Sequence, residues 1–222
     1  MPQLLRPKEE MMKRFVKGIA CAVLTAALLA GCGHKSEPDT TTVYIRKDGS
    51  VASAVYEPFD TKVYSKDELK EFVEDAVIAY NQKNAGEAAA YGKYADEPLS
   101  LVISSLDFND GNAVLKMEYA SCDDYMQFNK SEGSLLQMAS GTVAGAKEAG
   151  IDLSSFEFLN SDGTDSISGG DLDDGYYVVF VEGTSTIMVE GSIRYATADV
   201  TIEDKDTAQV SSDGTLSCIV FK

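Results

Sequence analysis

Two largely apolar runs, Thr42 to Arg46 and Val51 to Tyr56, flank the polar Lys47-Asp48-Gly49-Ser50. Asp-Gly between β-branched runs signals a hairpin, because glycine supplies the positive φ of a tight turn. The period changes at Ser65. Ser65 followed three residues later by Glu68 makes a capping box. Leu69, Phe72, Val73, Ala76, Val77 and Tyr80 then recur at helical spacing. The pattern predicts a helix from about 66 to 83 that packs a Leu69/Phe72/Val73/Ala76/Tyr80 stripe on a sheet. Asn84-Ala85-Gly86 ends it.

Residues 99–108 and 113–120 flank Asn109-Asp110-Gly111-Asn112, which predicts a second hairpin. In its second arm Ala113, Leu115, Met117 and Tyr119 alternate with Val114, Lys116 and Glu118. Ser121 with Asp124 suggests another cap and a short helix to about Asn129. Leu135 to Val143 fits strand or helix; Ala144 to Ala149 reads as helix, stopped by Gly150. From Tyr176 the chain is strand-rich. Tyr176 to Val181 is nearly continuously apolar, as in a strand buried on both faces. Four further runs follow (193–196, 198–203, 207–210 and 216–221), with turns at Glu190-Gly191, Asp204-Lys205 and Asp213-Gly214. The expected class is α+β: a largely antiparallel sheet of hairpins, one long amphipathic helix and a strand-rich C-terminal part. Residues 42–222 are expected to form one domain. The Asp/Ser/Gly-rich stretch 161–175 is either a sub-boundary or a long surface loop.

The N-terminal pattern is different in kind. Met12-Lys13-Arg14-Phe15-Val16-Lys17 is basic, and Ile19 to Ala30 is apolar apart from Thr25. The apolar run has 12 residues, short of the ~20 that span a bilayer as a helix. A basic segment, a short apolar segment and small residues before a cut form an export signal. Leu29-Ala30-Gly31-Cys32 resembles the lipobox of bacterial prolipoproteins. That resemblance implies acylation of the Cys32 thiol (palmitate and related chains), cleavage between Gly31 and Cys32, and a lipid anchor on the extracytoplasmic face of the cell membrane. Residues 1–31 are then leader and signal peptide. Residues 32–41, polar and containing Pro38, are a flexible tether. Translation is expected to start at Met12 rather than Met1 or Met11, because Lys8-Glu9-Glu10 can be encoded by a ribosome-binding purine run.

The charge balance narrows the partners. The first 31 residues hold five of the 19 basic and two of the 36 acidic residues. Residues 32–222 therefore carry 14 basic and 34 acidic residues, a formal charge of −20. Such a chain repels nucleic acid and anionic membrane surfaces, so a lipid on Cys32 would have to hold it at the membrane. The acidity serves solubility, or the binding of cations or a basic partner. Cys122 and Cys218 are the two thiols left outside the signal and lipid site. In an oxidising compartment they are expected to form a disulfide, or else to be two buried thiols.

Catalytic signatures are sparse. The chain's one histidine, His34, is on the tether, a poor place to hold a catalytic base or a zinc ligand. Neither a nucleophile elbow nor a phosphate-binding loop is present, and Gly169-Gly170 lacks the rest of a dinucleotide fingerprint. Carboxylate-pair hydrolysis would look to Asp123 with Asp124 or Asp173 with Asp174. Asn160, Asp162, Thr164 and Asp171 partly imitate a calcium loop, but Asp165 stands where that loop needs glycine. No metal and no cofactor is expected. Tyr91, Tyr94, Tyr125, Tyr176 and Tyr177 could line a glycan or peptide surface, or simply pack.

The run Thr42 to Val51 (TVYIRKDGSV), soon after the lipobox, resembles small lipoproteins of gut-dwelling anaerobic bacteria that have no assigned activity. The similarity covers the signal and first hairpin and implies an envelope protein without site residues. The expected function is a lipid-anchored, non-enzymatic binding or structural envelope lipoprotein. The alternatives are a solute-binding lipoprotein and a histidine-independent hydrolase.

Overall fold

The computed structural model describes residues 41–92, 99–130 and 135–222. Strands dominate them. The first hairpin is β1 (Thr42–Ile45) and β2 (Val51–Pro58), the second β3 (Leu101–Asn109) and β4 (Asn112–Tyr119). They are followed by β5 (Leu135–Thr142), β6 (Glu157–Asn160), β7 (Ser166–Ser168), β8 (Tyr177–Val189), β9 (Ile193–Thr197), β10 (Val200–Asp204) and β11 (Thr207–Phe221). The α-helices are α1 (Lys66–Asn84), α2 (Cys122–Phe128) and α3 (Val143–Glu148), the last two of only 7 and 6 residues. This corrects the α+β expectation: the fold is mainly β, with the helices as short covers and one long strut. The sheet is mixed rather than a row of hairpins, since β1 lies parallel to β8. Sequence periodicity reads each element alone and carries no information on how many strands join one sheet.

The strand order is β3-β4-β2-β1-β8-β11-β9-β6-β7, with β10 also on β11 and β5 also on β8. β8 and β11 are the long members and pair along most of their lengths. Their ladder is interrupted between Ser211 and Leu216, opposite Gly183. Ser212 Oγ accepts from Gly183 N at 2.8 Å and donates to Gly183 O at 3.2 Å, pinning the two strands there. Asp213-Gly214 therefore sits in a bulge within one strand, not in a turn between two. The bulge bends the ladder back on itself. A straight strand of β8's length would separate its ends by ~40 Å. Yet Phe221 pairs with Tyr177 at the start of β8, and Lys222 O lies 2.1 Å from where a Cβ on Gly191, just past its end, would be. Two layers result. β3, β4, β2, β1 and β10 join the halves of β8 and β11 around Ile187 and Ala208; β5, β9, β6 and β7 join the halves around Val179 and Ile219.

The main core fills the space between the layers. Val179, Val181, Ile219 and Phe221 from one layer meet Val43, Ile45, Val51, Ile187 and Val210 from the other. A second cluster lies on the outer face of the β5/β8/β9 layer, where Val178, Phe180, Cys218 and Val220 are covered by Val143, Ala146, Leu153, Phe158 and Leu172. The apolar run 176–181 thus feeds both clusters, alternate residues to each. Residues 161–175 belong to this unit: they hold β7, which pairs with β6, and Leu172, which is buried in the second cluster.

α1 begins at its Ser65 cap, whose Oγ accepts from Glu68 N. It buries Leu69, Val73, Val77 and Asn81, a strict four-residue repeat that forms one narrow stripe. Phe72 and Ala76 are only partly buried. The stripe is thus rotated from the expected one, and its last member is polar.

Candidate functional site

Polar side chains converge where α1, α2, β4 and β5 meet. Tyr80 on α1 donates to Asp124 Oδ1 at 3.2 Å, and Ser121 Oγ donates to Asp124 Oδ2 at 2.7 Å while capping α2 through Asp124 N at 3.0 Å. Cys122 Sγ lies 3.2 Å from Ser140 Oγ on β5. Tyr119 is fully buried beneath them; its hydroxyl accepts from Asn129 Nδ2 at 3.2 Å and lies 3.4 Å from Ser53 Oγ. Burial pushes the Cys122 thiol and the Tyr119 phenol up, and Tyr80 is raised by burial and then by the Asp124 carboxylate. Raised in this way, the thiol and the phenols stay protonated and available for hydrogen bonding. The cluster is a satisfied polar seam tying both helices to the sheet.

Of the described candidate residues read from the sequence, Cys122 and Asp124 meet in this seam, with Tyr125 packed on Tyr119, and the others lie elsewhere. Gly31, Cys32, His34 and Tyr94 lie outside the described residues. Cys122 and Cys218 are both free and buried, which corrects the expected disulfide. Cys122 belongs to the main core and Cys218 to the second cluster. Burial pushes the Cys218 thiol up to about 12, with Asp199 adding to the effect.

The four candidate calcium ligands do not come together as one site. Asn160 Oδ1 accepts from Thr164 N at 2.9 Å and Asp165 N at 3.3 Å, so it closes the β6–β7 turn. Asp162 is exposed in that turn. The pairing of Glu157 with Ser168 sets Asp171 beyond the opposite end of the hairpin from Asn160. No group of three or more metal-ligating side chains occurs among the described residues. The adjacent aspartates diverge as well. Asp123 accepts from Gln127 on its own helix, and Asp124 faces Tyr80. Asp173 closes a turn onto Gly175 N, and Asp174 pairs with Lys147 at 2.7 Å.

The tyrosines divide. Tyr125 is core, edge-on to Tyr119 at 5.0 Å. Tyr91 is exposed and donates to Glu74; burial of its hydroxyl and that bond raise it to about 12. Tyr176 and Tyr177 stand at one corner, under Lys222 and Lys47 respectively, each ammonium 5.7 Å from a ring centroid.

One residue that sequence reasoning passed over is central. Asn81 is fully buried at the end of α1. Its Nδ2 donates to Ala89 O and Leu101 O at 2.8 and 2.7 Å; its Oδ1 accepts from Ser100 N and Leu101 N, both at 3.1 Å. An asparagine at an apolar position of an otherwise regular stripe was the available signal. Comparison with protein-family models, curated proteins and solved structures finds no match.

Proposed function

We propose that the chain is a lipid-anchored extracytoplasmic envelope lipoprotein that binds a partner or supports a surface assembly rather than catalysing a reaction. The observation that carries this reading is the order of segments ahead of β1: basic Met12 to Lys17, apolar Ile19 to Ala30, then Leu29-Ala30-Gly31-Cys32 and a polar tether. No buried side-chain nitrogen or oxygen among the described residues lacks a partner. No helix there is long and apolar enough to cross a membrane. The acidity of the exported part weighs against nucleic acid as partner and toward a basic protein.

The test is Cys32→Ala expressed in a lipoprotein-exporting host, beside the unaltered chain. The unaltered protein is expected to be cut before Cys32 and to gain two or three acyl chains by mass spectrometry, since one chain anchors only marginally. The variant should be uncut or released. An unaltered chain found without acyl groups, or a variant that still carries them, overturns the reading.

A further inference from the structure

The end of the domain at which Thr41 enters carries an exposed strap. Thr41 is fixed beside β2, its Oγ1 accepting from Tyr56 N at 3.2 Å. β2 runs antiparallel to β1, so its C-terminal end lies at the pole where the tether arrives. There the chain leaves Pro58, pairs Phe59 N to Gly111 O of the β3–β4 turn, and crosses the pole as a short strap before α1. The strap is rigid: Val63 N and Tyr64 N both donate to Asp60 O, Lys62 N donates to Asp60 Oδ1, and the Tyr64 ring packs on Phe59 at 5.9 Å. At its crest is Val63, 53% exposed, the most exposed large apolar side chain among the described residues. Lys62 and Lys66 flank it, with Lys66 Nζ 4.9 Å over the Phe108 ring.

We infer that this strap is the face on which the domain sits against the bilayer holding the Cys32 lipid. The inference rests on the lipoprotein reading above and adds an orientation to it. Only the eight residues 33–40 separate Cys32 from Thr41, so the two lie at most about 32 Å apart when the segment is fully extended. The tether pole is therefore confined near the headgroups, and at that effective concentration a weak contact suffices. Apolar Val63 and amphipathic Tyr64 suit the headgroup boundary, and the lysines can reach phosphates along their apolar stems. Asp60, Asp67, Glu68 and Asp110 stand at the same pole, so the contact does not depend on anionic lipid. The opposite pole, with the Asp48-Gly49, Gly191 and Lys205 turns, then faces outward as the surface open to partners.

The chain has no tryptophan, so single indoles report position. Val63→Trp and, at the opposite pole, Lys205→Trp are made in the full chain, purified in lipidated form and reconstituted in phosphatidylcholine vesicles containing brominated acyl chains. The indole at 63 is expected to shift to the blue and to be quenched about two-fold, as burial ~5–10 Å into the interface implies. The indole at 205 should keep its emission. Vesicle-bound protein with both indoles unquenched overturns the seating and leaves the lipoprotein reading standing; so does protection of position 63 only when a second envelope protein is added. Failure of the protein to carry lipid or co-sediment with vesicles overturns both.

Discussion

Cys122 and Cys218 lie on opposite faces of one strand ladder. Ser140, which Cys122 touches, is cross-strand from Val179, and Cys218 is cross-strand from Phe180. Successive residues of β8 point to opposite sides, so the two thiols are separated by the sheet itself. A disulfide requires Cβ atoms about 3.5–4.5 Å apart on facing vectors, which this arrangement denies. Cys122 and Cys218 should therefore both be alkylatable after denaturation without reductant, and both should react slowly in the native state because burial disfavours the thiolate. Non-reducing mass spectrometry showing a 122–218 crosslinked peptide would refute this.

Asn81 should be among the most sensitive positions. Asn81→Leu keeps approximate size but strands two carbonyls and two amides of the β3 start and its approach. Buried unsatisfied groups cost roughly 1–3 kcal/mol each, so a loss of ~3 kcal/mol or more is expected. Asn81→Asp should also destabilise, because it turns a donor into an acceptor against two carbonyl oxygens. Urea denaturation measures both; unchanged midpoints would contradict the latch.

The corrected stripe of α1 makes a paired prediction. Val73→Asp buries an uncompensated charge among Leu69 and Val77 and should cost several kcal/mol or be neutralised by a raised pKa. Phe72→Asp, at a partly buried position, should cost clearly less. Equal losses in thermal unfolding would restore the stripe read from the sequence.

These cases mark how far the sequence could be read. The two Asp-Gly hairpins and the Ser65 cap are local chemistry, and local chemistry was legible. The rotation that leaves Phe72 half-buried and buries Asn81 depends on where β3 begins, which no residue of α1 encodes. The doubling back of β8 onto itself arises at Gly183 and Ser212, 29 residues apart, and each is ordinary in its own surroundings. Asp213-Gly214 carried a true turn signal that pairing with β8 turned into a bulge. The candidate site was less legible. Asn160, Asp162 and Thr164 had ligand spacing, but spacing cannot show that Asn160 already spends its carbonyl on the turn. The seam of Tyr80, Ser121 and Asp124 joins residues 44 apart, beyond any periodic pattern.

Gly169 tests packing rather than backbone freedom. A Cβ there would stand 1.9 Å from Leu153 O and 2.9 Å from Phe158 Cε2. The obstacle is backbone in the second cluster and cannot rotate away. Gly169→Ala should cost ~2 kcal/mol or more through overpacking. Gly141→Ala, where a Cβ would meet nothing within 4 Å, should be nearly neutral. Differential scanning calorimetry of the pair checks this; equal melting temperatures would mean the Leu153 turn yields.

Glu57 gives the fold a pH dependence with a definite sign. It follows Val55 two places on, so it shares the core-facing side of β2, at the end of that side, across from Ala113. Burial raises its carboxyl above the usual glutamate value. The folded chain thus holds this proton more tightly than the unfolded chain does. The resulting stability is fully present below the ordinary glutamate pKa and is lost as pH rises through the raised one. At neutral pH the ionised group is a net burden, because its desolvation has no compensating partner among the causes of the shift. Glu57→Gln keeps the shape and removes the charge. The variant should be more stable than the parent at pH 7, by less than about 1 kcal/mol, because solvent screens part of the charge on a half-buried group. The advantage should shrink toward zero as pH falls below the glutamate range. Urea unfolding of both proteins at several pH values measures it. A gap that stays constant with pH, or widens as pH falls, would show that the carboxylate is not the cause.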